Sequence, residues 1–249
     1  MVDRSSDNSL SFDSATSLEM TSPSSTDTWM SSGSSALEHE ASVLAMAILT
    51  GNTTEVRSLI NVGVTMSERH HWTLYQACLQ GADMVGALLA SPDINFNIDI
   101  PNDGGDPILH YVLRTPGSRF EGGKTSVVRL LLEHGADPFK HDRFGETALH
   151  ILASSTEEED VCLLRELVSG SGLPPPLDHQ SQYGDTALIV AVISRNIAAA
   201  RVLLESGANP NVTGEHNSTA AQYAERQGCL DMMCLLVAFG AELDDDMDM

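Results

Sequence analysis

The side chains most able to hold a metal or attack a substrate are four cysteines and nine histidines in a chain of 249 residues. A structural zinc site usually takes its ligands as two short-spaced pairs, so that each pair reaches the ion from one turn of backbone. Cys229 and Cys234 stand five apart on one predicted helix, and no second Cys or His pair stands at zinc-site spacing. They read as thiols of a helix core. Cys78 and Cys162 also lie in or near predicted helices, and His39 and the pair His70-His71 are isolated. Glu157, Glu158, Glu159 and Asp160 form an acidic run that would attract a cation only loosely and reads as an exposed, solvated linker. Neither a Gly-rich phosphate loop nor a nucleophile elbow occurs. The chain therefore reads as no enzyme, with no catalytic residue, no cofactor and no metal site.

Charge narrows the choice of partner. Thirteen basic against 35 acidic residues leave a formal charge of −22, which repels phosphates over most of the surface. Direct nucleic-acid binding is not expected, and a basic protein is the natural complement. Leu188 to Ile193 is among the longest apolar runs, far short of the roughly 20 residues a membrane span needs. No secretory hydrophobic core follows Met1, so reduced thiols and a cytoplasmic or nuclear location are expected, with the protein a monomer.

The positions of these side chains follow from a unit that the chain repeats, seen most clearly from Gly184 to Val212. Thr186-Ala187-Leu188 opens a short helix with Leu188, Ala191 and Val192 on one apolar stripe, and Arg195-Asn196 breaks it. A second helix runs from about Ala198 to Leu204, turns Val202, Leu203 and Leu204 inward, and stops at Gly207. Ala208-Asn209-Pro210-Asn211 leads into an extended hairpin. Helix pairs this short each leave one side open, so they gain stability only by stacking on like neighbours.

Read in order, residues 1–36 form a Ser/Thr-rich acidic tail too poor in apolar residues to fold, with kinase-like spacings at Ser22-Pro23, Ser24 to Asp27 and Ser35 to Glu38. Folded sequence begins near Leu37. The first unit, Ser42 to Val64, carries a polar second helix suited to the end of a stack. In the second, Pro92-Asp93 replaces the usual helix-ending Gly-Ala, and the third contains an insertion, Leu113 to Lys124, expected to project as a partner-contacting loop. The fourth unit spans Phe144-Ala153 and LLRELV, and leaves through Pro174, Pro175 and Pro176, read as a stiff spacer. In the sixth, Met232, Met233 and Phe239 are expected to leave an apolar patch, covered by the C-terminal tail or by something else. Residues 244–249 are a short acidic tail.

GETALH and GDTAL resemble the ankyrin motif G-x-T-P-L-H with Ala148 and Ala187 in place of Pro, and LLLEHGADP and LLESGANPN match that family's exit signature. The first-helix cores at Ala47, Ala77, Val112, Leu152, Ala191 and Ala224 recur near the ankyrin period of roughly 33 residues. The resemblance covers about residues 37–243 and implies an all-α ankyrin-repeat solenoid of about six helix-turn-helix repeats joined by hairpin loops. It further implies a concave surface of hairpin tips and first helices that binds proteins. By motif matching, the outward hairpin positions are Arg143, Phe144 and Glu146, then Gln182, Tyr183 and Asp185, then Glu215, His216 and Ser218. Phe144 and Tyr183 are equivalent, and serve either as interface anchors or as stacking contacts with neighbouring hairpins. His110 and His150 occupy the motif histidine, which braces the hairpin. The expected function is a protein-binding adaptor; the alternatives are a transcription co-regulator or inhibitor of a basic transcription factor, and a substrate receptor of a ubiquitin ligase. Asp13-Ser14-Ala15 lacks the Gly of the Asp-Ser-Gly phosphodegron, so that mechanism is not carried over.

Overall fold

A computed structural model describes residues 36–64, 72–90, 97–120, 123–170 and 175–243. The readings of the N-terminal tail, His70-His71, Pro92-Asp93, Pro174 and the acidic residues 244–249 fall outside the described residues. Twelve α-helices are described: α1 (Ala36–Leu49), α2 (Thr53–Asn61), α3 (Trp72–Leu79), α4 (Ala82–Leu89), α5 (Ile108–Arg114), α6 (Lys124–Glu133), α7 (Ala148–Ser154), α8 (Glu158–Gly170), α9 (Ala187–Ile193), α10 (Ile197–Glu205), α11 (Ala220–Arg226) and α12 (Leu230–Ala238). Single turns of 3₁₀ helix occupy Gly117–Arg119 and Glu215–Asn217. The only strand-like pairing among the described residues is one isolated antiparallel bridge, Gln180 with Thr186.

The helices pack as two rows. First helices α1, α3, α5, α7, α9 and α11 each touch the next in their row, and the second helices do the same through α2, α4 and α6 and through α8, α10 and α12. Local chemistry sets each pair. Thr186 Oγ1 accepts the Ile189 amide at 3.3 Å and starts α9, whose Leu188, Ala191 and Val192 are buried. Asn196 Oδ1 accepts the Ala199 amide at 2.9 Å and starts α10, while its Nδ2 donates to carbonyls at the end of α7. One side chain thus caps its own helix and ties it to the preceding repeat. Gly207 ends α10 at φ 100°, a conformation open to glycine, and the Ala208 amide then returns to the Leu203 carbonyl at 3.0 Å. Val202, Leu203 and Leu204 are buried as the periodicity predicts.

Two segments differ from their sequence expectation. The insertion is tied down towards both ends: Leu113 and Phe120 are buried and Lys124 opens α6 with only 2% of its surface exposed, while Arg114, Pro116, Ser118 and Arg119 between them are exposed. The Leu113 side chain at one end, with the Phe120 ring and the Lys124 stem towards the other, gives it apolar surface to bury. The acidic linker is the first turn of α8, and it receives a cation from its own chain. Lys124 Nζ lies 2.7 Å from Asp160 Oδ1 and 2.9 Å from Oδ2, and Glu159 accepts both the amide and the hydroxyl of Thr125. Together with the bidentate pair of Arg129 and Glu166, these contacts join α6 to α8.

The last repeat also differs. Met232 is fully buried and Met233 packs on the core; Leu230, Cys234 and Val237 face solvent with Phe239. Helix α12 is apolar on nearly every side, so sequence alone does not reveal its rotation.

A protein-binding edge at the hairpin tips

Four loops share one construction. In Asn102–Asp106, Asp142–Glu146, Ser181–Asp185 and Gly214–Ser218 the first residue's amide donates to the last residue's carbonyl, at 3.0, 3.0, 2.9 and 2.8 Å. The fourth position needs a left-handed backbone, supplied by Gly105, Gly145 and Gly184, and in the last loop by Asn217 at φ 55°. His216 beside it is also left-handed, at φ 58°. In the first two loops the side chain of the first residue also pins the turn: Asp142 Oδ1 accepts the amides of Phe144 and Glu146 at 2.8 and 2.9 Å, and Asn102 Oδ1 accepts that of Asp106 at 3.0 Å.

Neighbouring loops are bonded tip to tip. The Gln182 amide donates to the Phe144 carbonyl at 2.8 Å and its Nε2 to the Arg143 carbonyl at 2.5 Å. Glu215 donates its amide to Asp185 Oδ1 at 3.1 Å. The approach is close enough that a Cβ on Gly145 would meet the Gln182 nitrogen at 3.0 Å. The tips therefore form one edge whose backbone is held before anything binds.

Beneath the edge, histidines brace the two middle loops, each from the repeat before it. His150 Nδ1 receives the amide and lies within hydrogen-bond reach of the hydroxyl of Thr147, at 3.2 and 2.9 Å. Accepting at Nδ1 places the ring proton on Nε2, which donates to the Asp185 carbonyl of the next loop at 3.1 Å. Burial opposes a second proton and lowers the His150 pKa to about 4. His110 Nε2 is 2.7 Å from the Glu146 carbonyl in the same way. Pro107 stands where the later repeat has Thr147 and has neither amide hydrogen nor hydroxyl, so buried His110 Nδ1 has no hydrogen-bond partner among the described residues. His150 thus makes the local bond that the motif implies, and through Nε2 the brace also runs between repeats.

A cation clamps the same loops from below. Arg114, at the end of α5, reaches Asp106 and Asp142 at 2.6 Å each and Glu146 at 2.7 Å. Burial resists ionisation of Asp142, but the Arg114 guanidinium and the two amides outweigh it and hold the carboxyl below its usual range. Motif matching did not find Arg114 because its partners lie 8, 28 and 32 residues away.

The expected surface residues divide into two groups. Glu146 is committed to Arg114, Asp185 holds the next loop, Ser218 is buried, and Phe144 is half-buried beneath the Arg143 guanidinium, 4.8 Å from its ring centre. Arg143, Gln182, Tyr183, Glu215 and His216 are exposed, with Tyr183 at 56%. Among the described residues no group of three or more His, Cys, Asp or Glu is placed to hold a metal, and no helix is long and apolar enough to cross a membrane.

A family model for ankyrin repeats in three copies matches residues 109–214 and 167–247, which together make up more than half of the chain. The chain belongs to the ankyrin-repeat family. It is 27% identical to ankyrin repeat protein nuc-2 of Neurospora crassa over 228 residues, covering 80% of this chain and 21% of that protein. A B-cell lymphoma 3 protein homolog of Mus musculus is 32% identical over 60% of this chain and 32% of its own length. Ankyrin repeat and SOCS box protein 16 of Homo sapiens is 28% identical over 81% of this chain and 44% of its own length. The chain thus spans less than half of each of these relatives. An ankyrin repeat domain of Acinetobacter baumannii superposes with a TM-score of 0.64 at 21% identity, covering 80% of this chain and 98% of that one, a likeness of fold. Ankyrin repeats are a general protein–protein interaction module without catalytic machinery of their own.

Proposed function

We propose that the protein is a non-enzymatic adaptor that holds a partner protein along the hairpin tips and adjoining first helices. Arg143, Gln182, Tyr183, Glu215 and His216 make the contacts, and Phe144, Glu146 and Asp185 fix the edge beneath them. The observation that carries this reading is Tyr183, a rigid aromatic 56% exposed on a loop whose backbone is already bonded on both sides. An anchor on a preorganised edge loses little entropy when it docks. In this reading residues 37–243 are the repeat domain, residues 1–36 a modifiable appendage, and the protein acts as a monomer.

A sharper version is a co-regulator or inhibitor of a basic transcription factor, in the nucleus or cytoplasm. It is supported by the charge of −22 and by the likeness to the B-cell lymphoma 3 protein homolog. The likeness to an ankyrin repeat and SOCS box protein keeps a ubiquitin-ligase substrate receptor as the second reading. Affinity purification from cell extract with the full chain and with Tyr183→Ala separates them. Basic nuclear proteins retained by the first and lost with the second support the co-regulator; ligase subunits lost in the same way support the receptor. A retained set identical for both chains contradicts binding at this edge.

A further inference from the structure

The second helices align on the glycine that ends them, Gly63, Gly135, Gly207 or Gly240. Six residues before it stand Arg57, Arg129 and Arg201, all solvent-facing, and in α12 Cys234, which is also exposed. Two residues before it α6 and α10 carry Glu133 and Glu205; α12 carries Ala238, exposed as they are. The positions that keep the outer side of earlier second helices polar are apolar in α12.

The stacking stripe is uncovered as well. On α10, which packs against α12, Ala200 and Leu204 are 0% and 4% exposed. Their counterparts on α12 are Met233, half-buried, and Val237, 46% exposed, and Leu230 one turn earlier is 73% exposed. Leu230, Cys234 and Val237 follow helical spacing, so they form one stripe. Among the described residues nothing lies over it.

Charge identifies what would. From Gln227 to Met249 the sequence has Asp231, Glu242, Asp244, Asp245, Asp246 and Asp248, with no Lys or Arg. Of the cations on the adjoining helices, Arg226 lies 4.6 Å over the Tyr223 ring and Arg195 donates to the Gln227 carbonyl at 2.9 Å, which leaves Arg201 on α10 against these carboxylates. A second copy would bring the same carboxylates to the contact. Asp244, Asp245, Asp246 and Asp248 add to the same negative charge just after α12 in the sequence.

We infer that the outer face of α12 docks an amphipathic helix of a partner protein, with an apolar stripe seated on Leu230, Cys234 and Val237 and Lys or Arg flanking it. Helix-on-helix packing is how the second helices α2, α4, α8 and α10 are covered, and the acidic surroundings select a basic visitor. This face is separate from the hairpin edge.

The test titrates the full chain with two synthetic helical peptides that share one Leu stripe, flanked by Lys in one and by Glu in the other. The Lys peptide is expected to bind with micromolar affinity, to weaken in high salt, and to exceed the Glu peptide at least about tenfold. The double substitution Cys234→Arg with Ala238→Glu, which restores the pattern of α6 and α10, is expected to cut that affinity at least about tenfold at an unchanged melting temperature. If the double variant does not fold, Val237→Lys takes its place. Equal binding of both peptides, binding of neither, or undiminished binding to the folded variant overturns the inference. So does sedimentation showing a dimer that the double variant dissociates, because the occupant is then a second copy. Tyr183→Ala is expected to leave peptide binding unchanged, which keeps this test independent of the hairpin edge.

Discussion

Burial keeps His150 neutral with a folded pKa of about 4, against about 6.5 for a free imidazole. Above pH 6.5 neither folded nor unfolded chain carries this proton, and the brace contributes fully. Between pH 6.5 and 4 only the unfolded chain takes it up, so stability falls with pH, by up to about 3 kcal/mol at about 1.4 kcal/mol per unit. His150→Asn is expected to flatten that part of the curve in urea unfolding across pH; an unchanged slope contradicts the assignment. Arg114 is a second test. Arg114→Met leaves the buried Asp142 carboxylate without its cation and is expected to cost about 3 kcal/mol at neutral pH. The loss is expected to shrink as acid neutralises Asp142, whose depressed pKa makes its contribution one that is lost as pH falls. The motif histidine was legible in the sequence because its spacing to Thr147 is fixed within one turn. The clamp was not, because it joins loops of successive repeats and no periodicity marks its cation.

Helix α9 and α10 were legible nearly to the residue, since a capping Thr186, a breaking Arg195-Asn196 and a closing Gly207 bracket stripes of clear phase. Helix α12 was legible in extent but not in rotation: with apolar residues all round it, Met232 and Leu230 are indistinguishable until neighbours are placed. Leu203 belongs to the first kind, and Leu203→Ala is expected to lower stability by about 2–5 kcal/mol in denaturant unfolding. A change within about half a kcal/mol would mean that the register of α10 is wrong. The pair of Lys124 and Asp160 belongs to neither kind, because a buried lysine contradicts the usual preference of its side chain. Lys124→Met alone is expected to cost about 3–5 kcal/mol by stranding a buried carboxylate, and adding Asp160→Leu to recover most of the loss. Failure to recover would show that the pair also fixes how α6 meets α8.

Across the whole molecule, stacking converts weak helix pairs into a stable body and, as a by-product, lines up the loops that join them. Hydrogen bonds from Gln182 to Phe144 and from Glu215 to Asp185 make that line a single edge. The resemblance gave the positions on the edge but not which of them were free. Occupancy depends on Arg114 and Arg143, whose reach no motif records. Tyr183 is the exposed aromatic, while its counterpart Phe144 is already half covered. The most direct measurement is therefore the affinity of a partner recovered with the full chain, by calorimetry, for the wild type and for Tyr183→Ala at matched melting temperature. Tyr183→Ala is expected to lose at least about tenfold in affinity, or roughly 1.4 kcal/mol, with unfolding unchanged. An unchanged affinity, or a melting temperature that falls with the substitution, would contradict it.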